Sequence, residues 1–214
     1  MATSIQCRVS LPEMETILAP FGLRLSAGQL KQVREYVGIL LQWNQNVNLT
    51  SLQDEREILR RHFGESMFAA HAVPIWHGRL ADFGSGAGFP GLALRIGCPA
   101  LEAVLFEANA RKAAFLREIK GALKLAGVEV VRDRFERGLG SRGGFDFATA
   151  RALGGVGRLL KLLAQSLTPG GKVVLWVGVE GAELLARQPG WVWRPAIPVP
   201  ESARRVLLVG APQR

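Results

Sequence analysis

The spacing of apolar residues changes character partway along the chain. In the first part Leu30, Val33, Val37, Leu40 and Leu41 recur every three or four positions, as on a helix with one buried face. Residues 1–50 read as helical, with a break at Phe21-Gly22-Leu23 and Ser26 as N-cap of the segment that follows. Residues 54–73 predict a third helix, with Ile58, Phe63 and Met67 turned inward and Pro74 ending it. From Arg79 onward short apolar runs at 80–83, 101–106, 128–131, 145–150 and 172–177 alternate with helical segments. Those helices are expected at about 90–97, 109–126, 155–167 and 180–187. Such alternation predicts a parallel sheet wound with helices. Runs at 191–199 and 204–209, joined by a short polar segment, predict a hairpin closing one edge of that sheet. No internal repeat or low-complexity linker interrupts the pattern.

One turn carries chemistry. Asp82-Phe83-Gly84-Ser85-Gly86-Ala87-Gly88-Phe89-Pro90-Gly91 joins the first apolar run to a helix. Glycines in alternate positions let the chain turn sharply with no Cβ to block a ligand. Amides at a helix start point outward with partial positive charge, and Pro90 is tolerated in a first helical turn. Read literally, Gly86 to Gly91 matches the dinucleotide pattern G-x-G-x-x-G. Glu107 ends the second apolar run, about 20 residues after the glycine turn, where an acid can accept hydrogen bonds from two ribose hydroxyls. That serves the adenosine of NAD or of S-adenosylmethionine equally well. No Gly-Lys-Ser/Thr follows the glycines, which argues against a phosphate-cradling P-loop.

Composition narrows the setting. With 214 residues the chain suffices for one large domain, or one with an appendage, and needs no covalent staples. Cys7 and Cys98 have neither metal-ligand spacing nor a disulfide framework, and fit a reducing cytoplasm. Neither a signal peptide nor a membrane-spanning run is recognisable. Lys plus Arg number 27 against 18 Asp plus Glu, a net charge of +9. Such an excess attracts polyanions, nucleic acid first among them.

Several other residues are candidates with a structural reading beside the functional one. Asn44 and Asn48 either turn the chain or shape a site entrance. His62 lies in a helix, where a lone histidine is more often packed or solvated than catalytic. Arg111, Lys112 and Arg134 should lie near the carboxyl edge of the strands, the place of the ligand crevice in an open sheet. Arg117, Lys120, Lys124, Arg132, Arg137 and Arg142 read as surface, with Asp133 and Glu136 available as ion-pair partners.

Taken together, these blocks resemble the RsmG (GidB) family of bacterial small-subunit ribosomal RNA guanine-N7 methyltransferases. The matching pieces are Trp43-Asn44 with Asn48-Leu49-Thr50, Arg61-His62, the whole stretch Asp82 to Gly91, and Glu107-Ala108-Asn109 with Lys112 and Phe115-Leu116. Arg134-Phe135-Glu136 and Ala150-Arg151-Ala152 complete them, in the family's order from residue 30 onward. The resemblance implies an α/β, Rossmann-like class I methyltransferase fold: a seven-stranded, mostly parallel sheet with helices on both faces and extra N-terminal helices. Residues 1–74 would form the helical extension and 75–214 the methyltransferase domain. The implied cofactor is S-adenosyl-L-methionine, contacted at Gly84, Gly86, Phe89, Glu107, Ala108, Asn109, Phe135, Glu136 and Arg151. The implied partner is 16S rRNA or the small ribosomal subunit, methylated at guanine 527, by a cytoplasmic, monomeric enzyme with no metal.

The N7 of guanine carries a free lone pair, so methyl transfer requires no general base, and the enzyme's task is alignment. Arg134 and Arg151 are accordingly positioning candidates and no residue is assigned as acid or base. The chain departs from the family at Glu65, usually Asp, and at Val177 and Gly210, where lysines are common. These changes touch expected RNA contacts and leave the cofactor loop intact. Two alternatives stay open at this point: an NAD-dependent oxidoreductase, from the glycine pattern and Glu107, and a non-catalytic ribosome-associated protein retaining the fold.

Overall fold

Helix ends in the first layer are set by their own caps. In the computed structural model, residues 5–139, 142–151 and 156–213 are described, with 156–158 in backbone alone. Ala152 and the expected helix start at 155 lie outside these residues, as do positions 1–4 and 214 of the two expected units. Ser10 caps α1 (Leu11–Leu18) and Ser26 caps α2 (Ala27–Asn44), each through a reciprocal box with Glu13 or Gln29. Gly22, at φ 70, ends the 3₁₀ turn Ala19–Phe21 between them. The third expected helix has the anticipated ends, Asp54 as N-cap and Val73 as C-cap, but not the anticipated interior. It consists of α3 (Glu55–Ile58), a π-helical turn Leu59–Gly64 and α4 (Glu65–Ala72). The wider turn carries Arg61 and His62, and such turns commonly mark functional sites.

From residue 77 the alternation runs β1 (His77–Phe83), α5 (Gly91–Gly97), β2 (Ala100–Phe106), α6 (Ala110–Ala122), β3 (Val128–Val131) and α7 (Phe135–Gly138). It continues with β4 (Phe145–Arg151), α8 (Val156–Ser166), β5 (Leu167–Gly178) and α9 (Val179–Ala186). Three strands finish the chain: β6 (Trp191–Trp193), β7 (Ile197–Pro198) and β8 (Arg205–Pro212). The strand order is β3-β2-β1-β4-β5-β8-β6, so seven strands lie side by side, and β7 adds a two-residue rung on β8. The five strands from β3 to β5 are parallel, whereas β8 runs antiparallel to both β5 and β6. The expected edge hairpin is therefore present, with its second strand inserted against β5. Strand order reverses between β1 and β4, which places a crevice at their carboxyl ends.

Strand parity divides the core. Leu80, Leu105, Phe147, Val174, Trp176 and Leu207 face the N-terminal helices with α5 and α6. Their neighbours Ala81, Phe106, Ala148, Val173, Leu175 and Leu208 face α8 and α9. The helices of the first 74 residues thus share one continuous core with the sheet. Gln29 Nε2 strengthens the contact by donating to the carbonyls of Ile96 (2.8 Å) and Gly97 (3.1 Å). Among the described residues no helix is long and apolar enough to cross a membrane.

Two of the titratable groups buried between these layers shift in opposite directions. Asp82, near the end of β1, accepts hydrogen bonds from Thr149 Oγ1 on β4 (2.9 Å) and from the Gly91 N–H on α5 (3.2 Å). Burial outweighs those bonds and pushes its carboxyl up to about 6. His62 goes the other way: burial, reinforced by Arg151, Arg205 and Arg61, lowers its imidazole to about 3. The folded state therefore holds the Asp82 proton more tightly than the unfolded chain, a penalty at neutral pH that is relieved as pH falls from about 6 toward 3.8. The unfolded chain takes up the His62 proton first, so that contribution is lost as pH falls from 6.5 toward about 3. Each slope is about 1.4 kcal/mol per pH unit at full strength, and their signs oppose. Relative to the parent, Asp82→Asn is expected to lose stability by roughly that amount per unit between pH 6 and 4. His62→Gln is expected to gain by a similar slope, both read from urea unfolding across the range. Parallel curves for all three proteins would refute the opposed titrations.

Candidate cofactor and acceptor site

The glycine turn is held in place from three sides. Phe106 at the end of β2 accepts through its carbonyl from the N–H groups of Gly84 (2.9 Å) and Ser85 (3.1 Å). The Gly86 N–H donates to Glu107 Oε2 (2.9 Å), and the Asn109 N–H to Glu107 Oε1 (2.7 Å). From above, Tyr36 donates its hydroxyl to the Ala87 carbonyl (2.6 Å). The turn has positive φ at Gly84, Gly86 and Gly88, with values of 69, 56 and 82. Space differs among them. A Cβ at Gly88 would sit 2.1 Å from Tyr36 Oη, whereas one at Gly84 would meet nothing within 4 Å. Gly84 therefore borders open room at the carboxyl end of β1, and Gly88 is required by packing.

Register brings the expected site residues to one edge. Phe83 pairs with Phe106 and with Ala150, and Phe106 pairs with Val131. The residues that follow, Gly84, Glu107 and Arg151, consequently lie side by side, with Arg134, Phe135 and Glu136 just after β3. Glu107 is 8% exposed, and each carboxylate oxygen already takes one backbone N–H. Each keeps capacity for a further donor such as a ribose hydroxyl. Ala108 is exposed, and the Asn109 side chain caps α6 by accepting from the N–H groups of Arg111 and Lys112. Phe135 stands edge-on to Phe83 at 4.9 Å, while Arg134, the N-cap of α7, and Glu136 within it are exposed. Asp133 pairs with Arg137 (2.9 Å) and Glu129 with Arg142 (3.2 Å) at the surface.

Two of the expected contacts turn their side chains toward the N-terminal layer. The Phe89 ring is 7% exposed, stacked between Tyr36 (5.4 Å) and His62 (4.7 Å), so its backbone faces the turn while its side chain anchors the turn to the helices. Arg151 projects from the end of β4 to the N-terminal layer, donating to Ser66 Oγ (3.2 Å), the Arg61 carbonyl (3.2 Å) and Glu65 Oε2 (3.0 Å). Asn44 closes the loop after α2, its Oδ1 accepting from the N–H groups of Leu49 and Thr50. Thr50 Oγ1 then lies 2.7 Å from His62 Nε2. Asn48 is exposed.

Tyr36, Thr149 and Arg205 were not among the candidates read from sequence, and Glu65 was read there only as a departure from the family's Asp. Tyr36 is the only tyrosine and falls on the apolar stripe between Val33 and Val37, a signal that was available. Thr149 and Arg151 share strand parity with each other and pair opposite Asp82 through Thr149. Glu65 and Arg205 belong to distant segments, and no local pattern joins them.

Comparison with known proteins agrees with this geometry. The family model described as rRNA small subunit methyltransferase G (GidB) matches residues 29–189. A protein of Roseiflexus castenholzii named ribosomal RNA small subunit methyltransferase G is 43% identical over 71% of this chain and 66% of its own length. One of Stenotrophomonas maltophilia with the same name is 35% identical over 87% of this chain and 86% of its own length. A putative O-methyltransferase structure from Klebsiella pneumoniae superposes with a TM-score of 0.61 at 13% identity, covering 84% of this chain and 90% of that one, a likeness of fold. With its Rossmann-like class I sheet, its glycine turn at the strand-order reversal and a family match over most of its length, the chain belongs to the rRNA small subunit methyltransferase G (GidB) family.

Proposed function

We propose that the protein transfers a methyl group from S-adenosyl-L-methionine to N7 of guanine 527 in 16S rRNA. The observation that carries the reading is the paired arrangement of Gly84 and Glu107: an open glycine edge beside a buried carboxylate with spare acceptor capacity. That cradle fits the cofactor, whose sulfonium supplies an electrophilic methyl group when bound. Glu107 would hold the ribose hydroxyls, with Gly84, Gly86, Ala108 and Asn109 offering backbone around it and Phe135 and Glu136 bordering the adenine side. Arg151 and Arg134 would position cofactor and RNA. Because N7 is nucleophilic without losing a proton, the chain's own contribution is alignment and exclusion of water. The +9 charge and the exposed Arg111, Arg132 and Arg134 beside the carboxyl edge suit an RNA phosphate backbone. We read residues 1–74 as an extension of one catalytic unit, acting as a monomer in the cytoplasm. Family membership leaves the oxidoreductase alternative without support.

Labelled S-adenosylmethionine with small-subunit RNA lacking the modification should yield one labelled guanine, located by chain cleavage at N7-methylguanine. Intact cofactor binding without transfer would mean a different acceptor or a lost activity. The two glycines separate cradle from packing. Gly84→Ala is expected to reduce cofactor affinity about tenfold or more while costing only about 1 kcal/mol of stability, from its positive φ. Gly88→Ala is expected to lower the melting temperature by roughly 5–10 °C, since its Cβ displaces Tyr36. Equal melting losses with unchanged affinity in Gly84→Ala would contradict the cradle.

A further inference from the structure

One carboxylate serves two arginines from different strands. Glu65, the first residue of α4, is 3% exposed. Its Oε2 accepts from Arg151 Nη2 (3.0 Å) at the end of β4 and from Arg205 Nη1 at the start of β8. Its backbone carbonyl accepts from Trp176 Nε1 on β5 (2.7 Å). Glu65 therefore touches three strands at the edge that carries the site.

The π-helical turn contributes to the same arrangement. The Glu65 N–H bonds to the carbonyls of Arg60 and His62, passing over that of Arg61. The Arg61 carbonyl is thereby available to Arg151 Nη2 (3.2 Å), and Ser66 Oγ takes Nη1 (3.2 Å). All three of these acceptors of Arg151 belong to the N-terminal layer, although its backbone adjoins Ala150, the partner of Phe83 at the crevice. A buried ion pair is often no more stabilising than well-packed apolar groups, but it defines the place of a charge.

We propose that Glu65 is a positioning residue for methyl transfer: it fixes the guanidinium of Arg151 at the end of β4 and couples it to Arg205 on β8. This rests on the reading of Arg151 as a group that positions cofactor or substrate. The N-terminal helices then set the geometry of the site as well as covering the sheet. Glu65 acts through its neighbours and does not touch the reacting atoms.

The full-length protein tests this by calorimetric S-adenosylmethionine affinity and by kcat and KM for small-subunit RNA measured separately. Glu65→Gln keeps the shape and removes the charge, and is expected to lower kcat or cofactor affinity about tenfold at temperatures where it is fully folded. Glu65→Asp, which restores the charge, is expected to recover part of that loss. Combined with Arg151→Lys, Glu65→Gln should add little to the effect of Arg151→Lys alone, since one acts through the other. If Glu65→Gln does not fold, the same cycle is run with Glu65→Asp. Additive effects, or wild-type kcat and affinity in Glu65→Gln, would overturn the positioning role while leaving Arg151 in place. Wild-type behaviour of Arg151→Lys alone would instead overturn the reading of Arg151, and the proposal with it.

Discussion

A carboxylate removed from water joins the elements that form the crevice. Asp82 ties the end of β1 to β4 through Thr149 and to the start of α5 through the Gly91 amide. Its neighbour Ser85 donates its hydroxyl to the Asp82 carbonyl (3.0 Å), so the strand end and the turn are bonded at successive points. There is no room for a side chain at Gly91, where a Cβ would come within 2.7 Å of the Asp82 carboxylate. Desolvating an acid is unfavourable, and the protein accepts this because the same carboxylate sets where the first helix leaves the sheet. The position of the glycine turn, and hence of any cofactor, follows from that attachment.

The second constraint comes from the opposite side of the turn. Tyr36 on α2 and His62 on the π-helical turn clasp the Phe89 ring between them. Stacked aromatic contacts of this kind contribute beyond their buried area and hold relative orientation. The N-terminal helices are consequently part of the glycine turn's support, reaching it through one hydroxyl and one ring, and reaching the end of β4 through Glu65. The strand ends hold buried charges that are paired or hydrogen-bonded, Glu65 with Arg151 and Arg205 and Asp82 with Thr149, while the basic groups of Arg111, Arg132 and Arg134 lie at the surface. The exposed arginines supply a long-range positive field, and the buried groups are the ones held in fixed geometry.

Much of this arrangement was readable along the chain. The cap at Ser26, the start of the third helix at Asp54, the alternation from Arg79, the glycine turn and Glu107 depend on residues close in sequence, whose side chains and spacing act locally. Period and glycine spacing need no tertiary partner to be recognised. The edge hairpin was likewise legible, although insertion of β8 against β5 was not, because strand pairing is settled between distant segments. The interior of the third helix escaped for a similar reason: the widened turn at Leu59–Gly64 serves contacts with Arg151 and Phe89, and its own side chains suit an ordinary helix.

The sequence by itself determined the parallel sheet, the glycine turn and the acid beside it, since each is written in local spacing and residue type. Only the tertiary structure decided where Phe89 and Arg151 point. Both occur in motifs suggesting ligand contact, yet one ring packs among Tyr36 and His62 and one guanidinium turns to Glu65. Those directions depend on α2, α4 and β8, which lie far away in the chain. A side chain's motif names its neighbours along the backbone, and burial chooses its partners across the fold.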